Sequence, residues 1–278
     1  MERAAEGVAD RLADVVRDFP VALIHGAGFG AFAAALAGAA GRASLIQTES
    51  ASPLAALAAS RAPAAMTRTA PDEAPEDAAA AGALDLVVSG MTLHRANDPV
   101  DLLTRLRLML KPDGLFLGAL FGGRTLAELR AALAEAEAEQ EGGVSPRVSP
   151  MAEIRDLGAL LQRAGFALPV ADVDRVEVAY ETPFHLMRDL RAMGEGNMLT
   201  GRRRAFSRRA TLLRAAEIYA AHYSRPDGRV TATFEIVHLI GWAPAASQPK
   251  PLRPGSATAR LADALGAVER STGEKAGE

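Results

Sequence analysis

The sequence predicts an α/β fold, a largely parallel sheet with helices on both faces. Three observations lead there. Short β-like runs alternate with helical ones between residues 21 and 121. "LDLVVS" (84–89) is almost wholly apolar, as a strand covered on both faces should be. "ALIHGAGFGAFAAAL" (22–36) joins a strand pattern to a small-residue helix through a glycine-rich turn. Such alternation implies right-handed βαβ units.

The elements follow in order. In the N-terminal stretch Ala4, Val8, Leu12 and Val15/Val16 share one face at helical spacing, so an amphipathic helix is expected up to Pro20. "VALIH" (21–25) is a strand, followed by a helix from Phe29 to about Ala40. "ASLIQ" (43–47), a helix over 52–61 and a weak strand "AAMTR" (64–68) come next. Residues 69–83 read as loop with a short helix. Asp98 is a plausible N-cap and Pro99 the first residue of a helix that the "KPDG" turn ends near Gly114. "LFLGALF" (115–121) is the next strand. Beyond it the pattern predicts helices near 124–140, 151–164, 183–193 and 203–223, strands at "VEVAY" (176–180) and 231–243, and a loop at "EGGVSPRVSP" (141–150). The expected organisation is a helix over 1–20, one domain over 21–243 with a helical insertion at about 124–225, and a mostly flexible tail over 244–278 holding a short helix pattern.

Composition narrows the function. The 278 residues carry 31 Lys plus Arg against 34 Asp plus Glu, a net charge of -3, which argues against a nucleic-acid partner. With no cysteine, a thiol nucleophile, a Cys-ligated metal and a disulfide framework are excluded. The first residues hold no apolar signal core, so a cytoplasmic protein is expected.

The glycine-rich stretch admits three readings. As a membrane span it has the length, roughly 20 residues. However, it is mostly Ala and Gly, holds His25, and its clustered glycines would each weaken a helix by about 1 kcal/mol. As a hydrolase oxyanion turn it demands a G-x-S-x-G elbow, which this chain lacks; Ser89 in "VVSGM" has no glycine two residues before it. As a cofactor turn, Gly26, Gly28 and Gly30 stand at the carboxyl end of the first strand, where open α/β sheets bind ligands. Glu49, 19 residues after Gly30 and just past the second strand pattern, is placed to grip a ribose diol. The cofactor reading is preferred, with a merely tight strand–helix turn as its competitor. The spacing departs from the dinucleotide G-x-G-x-x-G, although Ala31 leaves that cofactor open.

"LDLVVSGMTLHRANDP" followed by "LKPDGLFLGALFGG" resembles the class I S-adenosylmethionine-dependent methyltransferases. "FGGRTLAELR" (121–130), "EGGVSPRVSP" (141–150), "MGEGN" (193–197), "IGW" (240–242) and "RPGSA" (253–257) are similar, more narrowly, to the respiratory complex I assembly factor 5 group and its bacterial relatives. The resemblance implies a Rossmann-like, seven-stranded, mostly parallel sheet with an antiparallel last strand. It implies S-adenosyl-L-methionine as cofactor, bound at Gly26, Ala27, Gly28, Gly30 and Glu49, with Ser89 and Gly90 lining the cleft. It implies methylation of a protein substrate, a complex I subunit, in complex I assembly, with arginine hydroxylation and a non-catalytic assembly chaperone as alternatives. No transmembrane segment is expected, and at most peripheral membrane contact.

The chain departs from the family pattern at Ile24, where an acid is usual, and at Leu93-His94-Arg95 in place of "LHW". Loss of a charge-assisted hydrogen bond at Ile24 is worth about 1.5–3 kcal/mol, a roughly ten- to hundredfold weaker site.

His94 is the candidate catalytic residue, as general base or as a ring against the cofactor's adenine. Glu195 and Asn197 sit on a Gly-flanked loop that either meets substrate or simply follows a helix cap at Gly194. His185 and Asp189, one helical turn apart, read as a surface pair, and no metal site is expected. "RRRAFSRR" (202–209) reads as a solvated helix face or a dock for an acidic partner or anionic lipid.

Overall fold

The computed structural model describes residues 1–39, 44–249 and 266. Its centre is β1 (Val21–His25), which pairs in parallel with β2 (Ser44–Glu49) on one side and β4 (Leu84–Gly90) on the other. β3 (Met66–Thr69) lies outside β2, and β5 (Leu110–Phe121) outside β4, both parallel. β7 (Val230–Trp242) then runs antiparallel between β5 and β6 (Ala167–Tyr180). The order β3-β2-β1-β4-β5-β7-β6 is that of a Rossmann-like class I methyltransferase sheet, seven-stranded with its last strand antiparallel, as expected. Because the chain leaves β1 in one direction and returns to β4 on the other side, a crevice opens at their carboxyl ends.

The period of two in β1 divides the core. Ala22 and Ile24 face a layer that includes α1 (Glu2–Ala13), α2 (Ala31–Ala39), α5 (Ala127–Glu141), α7 (Pro183–Ala192) and α8 (Arg209–Tyr223). Leu23 faces the layer of α4 (Pro99–Met109) and α6 (Ile154–Arg163). α3 (Ser52–Arg61) packs on β2 and β3. The apolar run from Pro20 is thus strand, turn and buried helix. Among the described residues no helix is long and apolar enough to cross a membrane.

Local chemistry sets several boundaries. Asp98 caps α4, its Oδ1 accepting from the N–H groups of Val100 at 3.1 Å and Asp101 at 3.0 Å. Asp85, the acid of "LDLVVS", accepts from the Val21 N–H at 3.0 Å and from Lys111 at 2.8 Å, tying the starts of β1, β4 and β5 together.

Four expectations need correction. Val16 is fully exposed, since α1 ends at Ala13. "KPDG" is an irregularity inside β5, where Asp113 has φ 62° and the register with β4 jumps from Leu84↔Leu110 to Leu86↔Leu115. β6 begins nine residues before "VEVAY", an edge strand that tolerates Pro169 where its pairing slips. α8 starts at Arg209, so most of "RRRAFSRR" is loop. The helix pattern near 257–268 lies, apart from Gly266, outside the described residues.

Candidate functional site

The turn after β1 brings two backbones together. Gly26 has φ 77°, and a Cβ there would stand 2.3 Å from Thr92 Cγ2 and 2.8 Å from the Gly90 carbonyl oxygen. Gly26 and Gly90 therefore let the backbones close on each other just past the His25–Ser89 pair. Gly30, at φ 89°, lets α2 approach α3; a Cβ would lie 2.9 Å from the Ala58 carbonyl. Ala27, fully buried, donates its N–H to Thr48 O at 2.9 Å, and Gly28 is half-buried within the same turn.

Glu49 closes this turn. Its Oε1 accepts from the Phe29 N–H at 2.9 Å, and its other oxygen makes no hydrogen bond to the described residues. Burial pushes its pKa up, partly opposed by the Phe29 N–H. Ile24 is fully buried in the α1/α2 layer, so hydrocarbon fills the position where the resemblance implies an acid. The Ser89 hydroxyl lies 3.0 Å from that of Thr92, both buried, at the carboxyl end of β4 beside Gly90. His25, the last residue of β1, is buried with neither ring nitrogen hydrogen-bonded; burial lowers its pKa and keeps it neutral.

The segment after β4 leads from this turn to a cavity of about 370 Å³. His94 stands in its wall on a single 3-10 turn, Leu93–Arg95. Its Nε2 lies 3.2 and 3.3 Å from the two carboxylate oxygens of Glu195. A carboxylate only accepts, so Nε2 is the donor of this pair. Nδ1 is buried and without a partner. Phe121 fixes the ring from one side, centroids 5.0 Å apart, and is itself held by Phe234 at 5.9 Å. Glu195 is delivered by the end of α7, where Gly194 turns at φ 79° and the Glu195 N–H donates to Leu190 O at 2.8 Å. The helix-cap reading of "MGEGN" holds. The helix cap aims the carboxylate.

The opposite wall is the 144–150 loop, pinned by a residue the sequence reading missed. Glu137 of α5, 2 % exposed, accepts from the Ser145 N–H at 2.7 Å, the Ser145 hydroxyl at 2.8 Å and Arg147 Nε at 2.8 Å. Arg147 donates onward to the Ser207 hydroxyl at 2.6 Å, and Asn197 Nδ2 to Pro146 O at 2.8 Å. The signal was present: Glu137 falls on the stripe of Leu129, Ala132, Leu133 and Ala136, where an acid has no place unless it is paired.

His185 pairs with Glu181 at 3.6 Å and Thr182 at 3.2 Å rather than with Asp189, which sits beside Tyr180. Among the described residues no group of three or more His, Asp or Glu is arranged to hold a metal ion.

A methyltransferase-domain family model matches residues 11–169. The rat mitochondrial arginine-hydroxylase NDUFAF5 (Rattus norvegicus) is 41% identical over 266 residues, covering 94% of this chain and 75% of the relative. The chain belongs to the methyltransferase-domain family, in the NDUFAF5 group. A malonyl-[acyl-carrier protein] O-methyltransferase of Laribacter hongkongensis is 37% identical over 176 residues, 63% of this chain and 57% of the relative. The fold is shared with YcgJ of Bacillus subtilis at TM-score 0.59 and 12% identity, over 88% of this chain and 100% of that one.

S-adenosylmethionine is the cofactor of this family. The residues present fit it. A buried carboxylate with one oxygen to spare stands at the end of β2, beside the close-packed glycine turn at the carboxyl end of β1.

Proposed function

We propose that this protein holds S-adenosylmethionine at Gly26, Ala27, Gly28, Gly30 and Glu49, beside the backbone of Ser89 and Gly90. With it the protein modifies an arginine side chain of a protein substrate seated in the His94–Glu195 cavity. The observation that carries this reading is the buried, unpartnered Nδ1 of His94, its ring aligned by the Glu195 carboxylate and the Phe121 ring just after β4. When bound, the cofactor supplies a methyl group on a sulfonium, which leaves as a neutral thioether once the methyl is transferred. His94 Nδ1 takes the proton that the acceptor nitrogen releases, and Glu195 stabilises the imidazolium that results. The Phe121–Phe234 pair and the pinned 144–150 loop orient the acceptor and exclude water.

Hydroxylation is the second reading, favoured by the arginine-hydroxylase name of a relative that covers nearly the whole chain. It needs dioxygen and a two-electron donor: one oxygen atom enters the C–H bond and the other leaves as water. The resemblance to the complex I assembly group supports a substrate among complex I subunits. The cytoplasm is the proposed location.

Calorimetric titration with S-adenosylmethionine, beside a Glu49→Ala variant, tests the cofactor site. Binding that weakens ten- to a hundredfold in the variant is expected, the value of one charge-assisted hydrogen bond of about 1.5–3 kcal/mol. No heat and no thermal shift with wild type would sink the enzyme reading in favour of a non-catalytic assembly chaperone. Peptide mass spectrometry of cells with and without the protein then separates a gained CH₂ from a gained O. His94→Ala should lose either product and keep cofactor binding.

A further inference from the structure

The loop between the cavity and α8 is built against its own electrostatics. Residues 201–209, "GRRRAFSRR", hold five arginines and no acid in a chain of net charge -3. Arg203 is committed to Glu141, and Arg202 donates to Leu199 O at 3.0 Å. Arg204, Arg208 and Arg209 are exposed, and their guanidinium groups have no partner among the described residues. Arg208 caps α8 and Arg209 opens it, with no acid in the first turn, so the charges add to the positive end of the helix dipole. Between them Phe206 projects fully into solvent, 99 % exposed. Local rules are broken twice over in six residues, which is where function is to be sought.

The loop adjoins the cavity rim. Met198, Leu199 and Thr200, which line the cavity, run directly into it. Arg147, another lining residue, holds it through the Ser207 hydroxyl. A segment laid across the cavity would therefore meet Arg204, Arg208 and Phe206 a few residues from its reacting side chain.

We infer that this loop is a docking surface for an acidic, extended segment of the protein substrate, flanking the residue to be modified. The inference rests on the proposed function for the identity of that residue. Carboxylates of the segment answer the unpaired guanidinium groups and the helix end together, and an apolar side chain covers Phe206. Continuity with the cavity is what favours a protein segment over an anionic membrane, which would need no such neighbour.

The test uses the full chain and two short fluorescent peptides, each with one arginine, flanked by glutamates in one and glycines in the other. Fluorescence anisotropy should show the glutamate peptide binding about tenfold tighter, with the advantage shrinking as salt rises. An Arg204→Glu/Arg208→Glu variant should abolish the advantage, an Arg204→Gln/Arg208→Gln variant should reduce it, and Phe206→Ala should weaken binding of the glutamate peptide. All three should keep the wild-type melting temperature and S-adenosylmethionine titration. Equal binding of both peptides by wild type, or an advantage that survives charge reversal, overturns the inference. So does capture by phosphatidylserine vesicles without any peptide preference. A failed cofactor titration with an intact peptide preference would remove the proposed function alone; the reverse pattern would remove only this docking surface.

Discussion

Replacing Glu137 with glutamine should loosen the wall of the cavity and lower the stability of the whole unit. The carboxylate is 2 % exposed and Arg147 17 %, so the variant breaks a pair that is nearly dry on one side. Removing one member of a buried pair costs about 3–5 kcal/mol when the other is stranded. Arg147 is not fully stranded, since it keeps Ser207 and some access to water, and glutamine keeps one acceptor for Ser145. An expected loss of about 2–3 kcal/mol follows. For a unit spanning Met1–Ala245, each kcal/mol shifts Tm by about 2–4 °C, so calorimetry should show a fall of roughly 4–12 °C. The pH dependence has a definite sign. Burial pulls the Glu137 pKa up, but the Ser145 donors and Arg147 outweigh it and hold the group below its ordinary value. Its contribution is therefore fully present above the unfolded carboxylate pKa, near ~4.3, and is lost as pH falls through the lower folded value. That part of the acid limb should vanish in Glu137→Gln, while amide exchange in residues 143–151 should quicken at neutral pH. A double-mutant cycle with Arg147→Met should return a coupling of about 1 kcal/mol or more. A Tm unchanged within a degree or so, with no coupling, would refute the pinned-loop account.

Other expectations are quickly checked. Gly26→Ala should cost about 1–3 kcal/mol in backbone strain alone, before its clash with Thr92 and the Gly90 carbonyl, and should abolish cofactor heat; denaturant titration and calorimetry read both. Gly7→Ala drives a Cβ to 2.6 Å from the buried ring of His238, so a loss of about 1–3 kcal/mol is expected in thermal melts. Burial, then Arg11, lowers the His238 pKa to about 4. The unfolded chain therefore binds the extra proton first, and stability should fall as pH drops from ~6.5 toward that value. His238→Asn should flatten this stretch of a denaturation series run against pH.

What the sequence disclosed follows from what is local. β1, β4, the Asp98 cap and the glycine turn are each written in a few adjacent residues, and they carry the fold. Glu49 was legible because its spacing from Gly30 is set by one helix and one strand. β6 was half-hidden because an edge strand alternates charge with Val and bears Pro169, weakening every single-segment cue. The pairing of His94 with Glu195 spans 101 residues, and no local pattern announces a contact made by tertiary packing. The cationic loop misled for a related reason. Arginine favours helices in isolation, but consecutive cations at a helix start do not.

The placement of β7 also bears on biosynthesis. It is the last strand of the sheet to leave the ribosome, yet it sits between β5 and β6, pairing Leu115 with Trp242 and Tyr180 with Val230. Until it arrives, β5 presents an open ladder and β6 has no partner at all. Between the synthesis of Tyr180 and that of Trp242 the nascent protein therefore carries two unfinished edges, exposed to chaperones and to other chains alike. Closure of the sheet is a late, long-range event, and a chain broken off before residue 230 lacks the strand that joins its two halves.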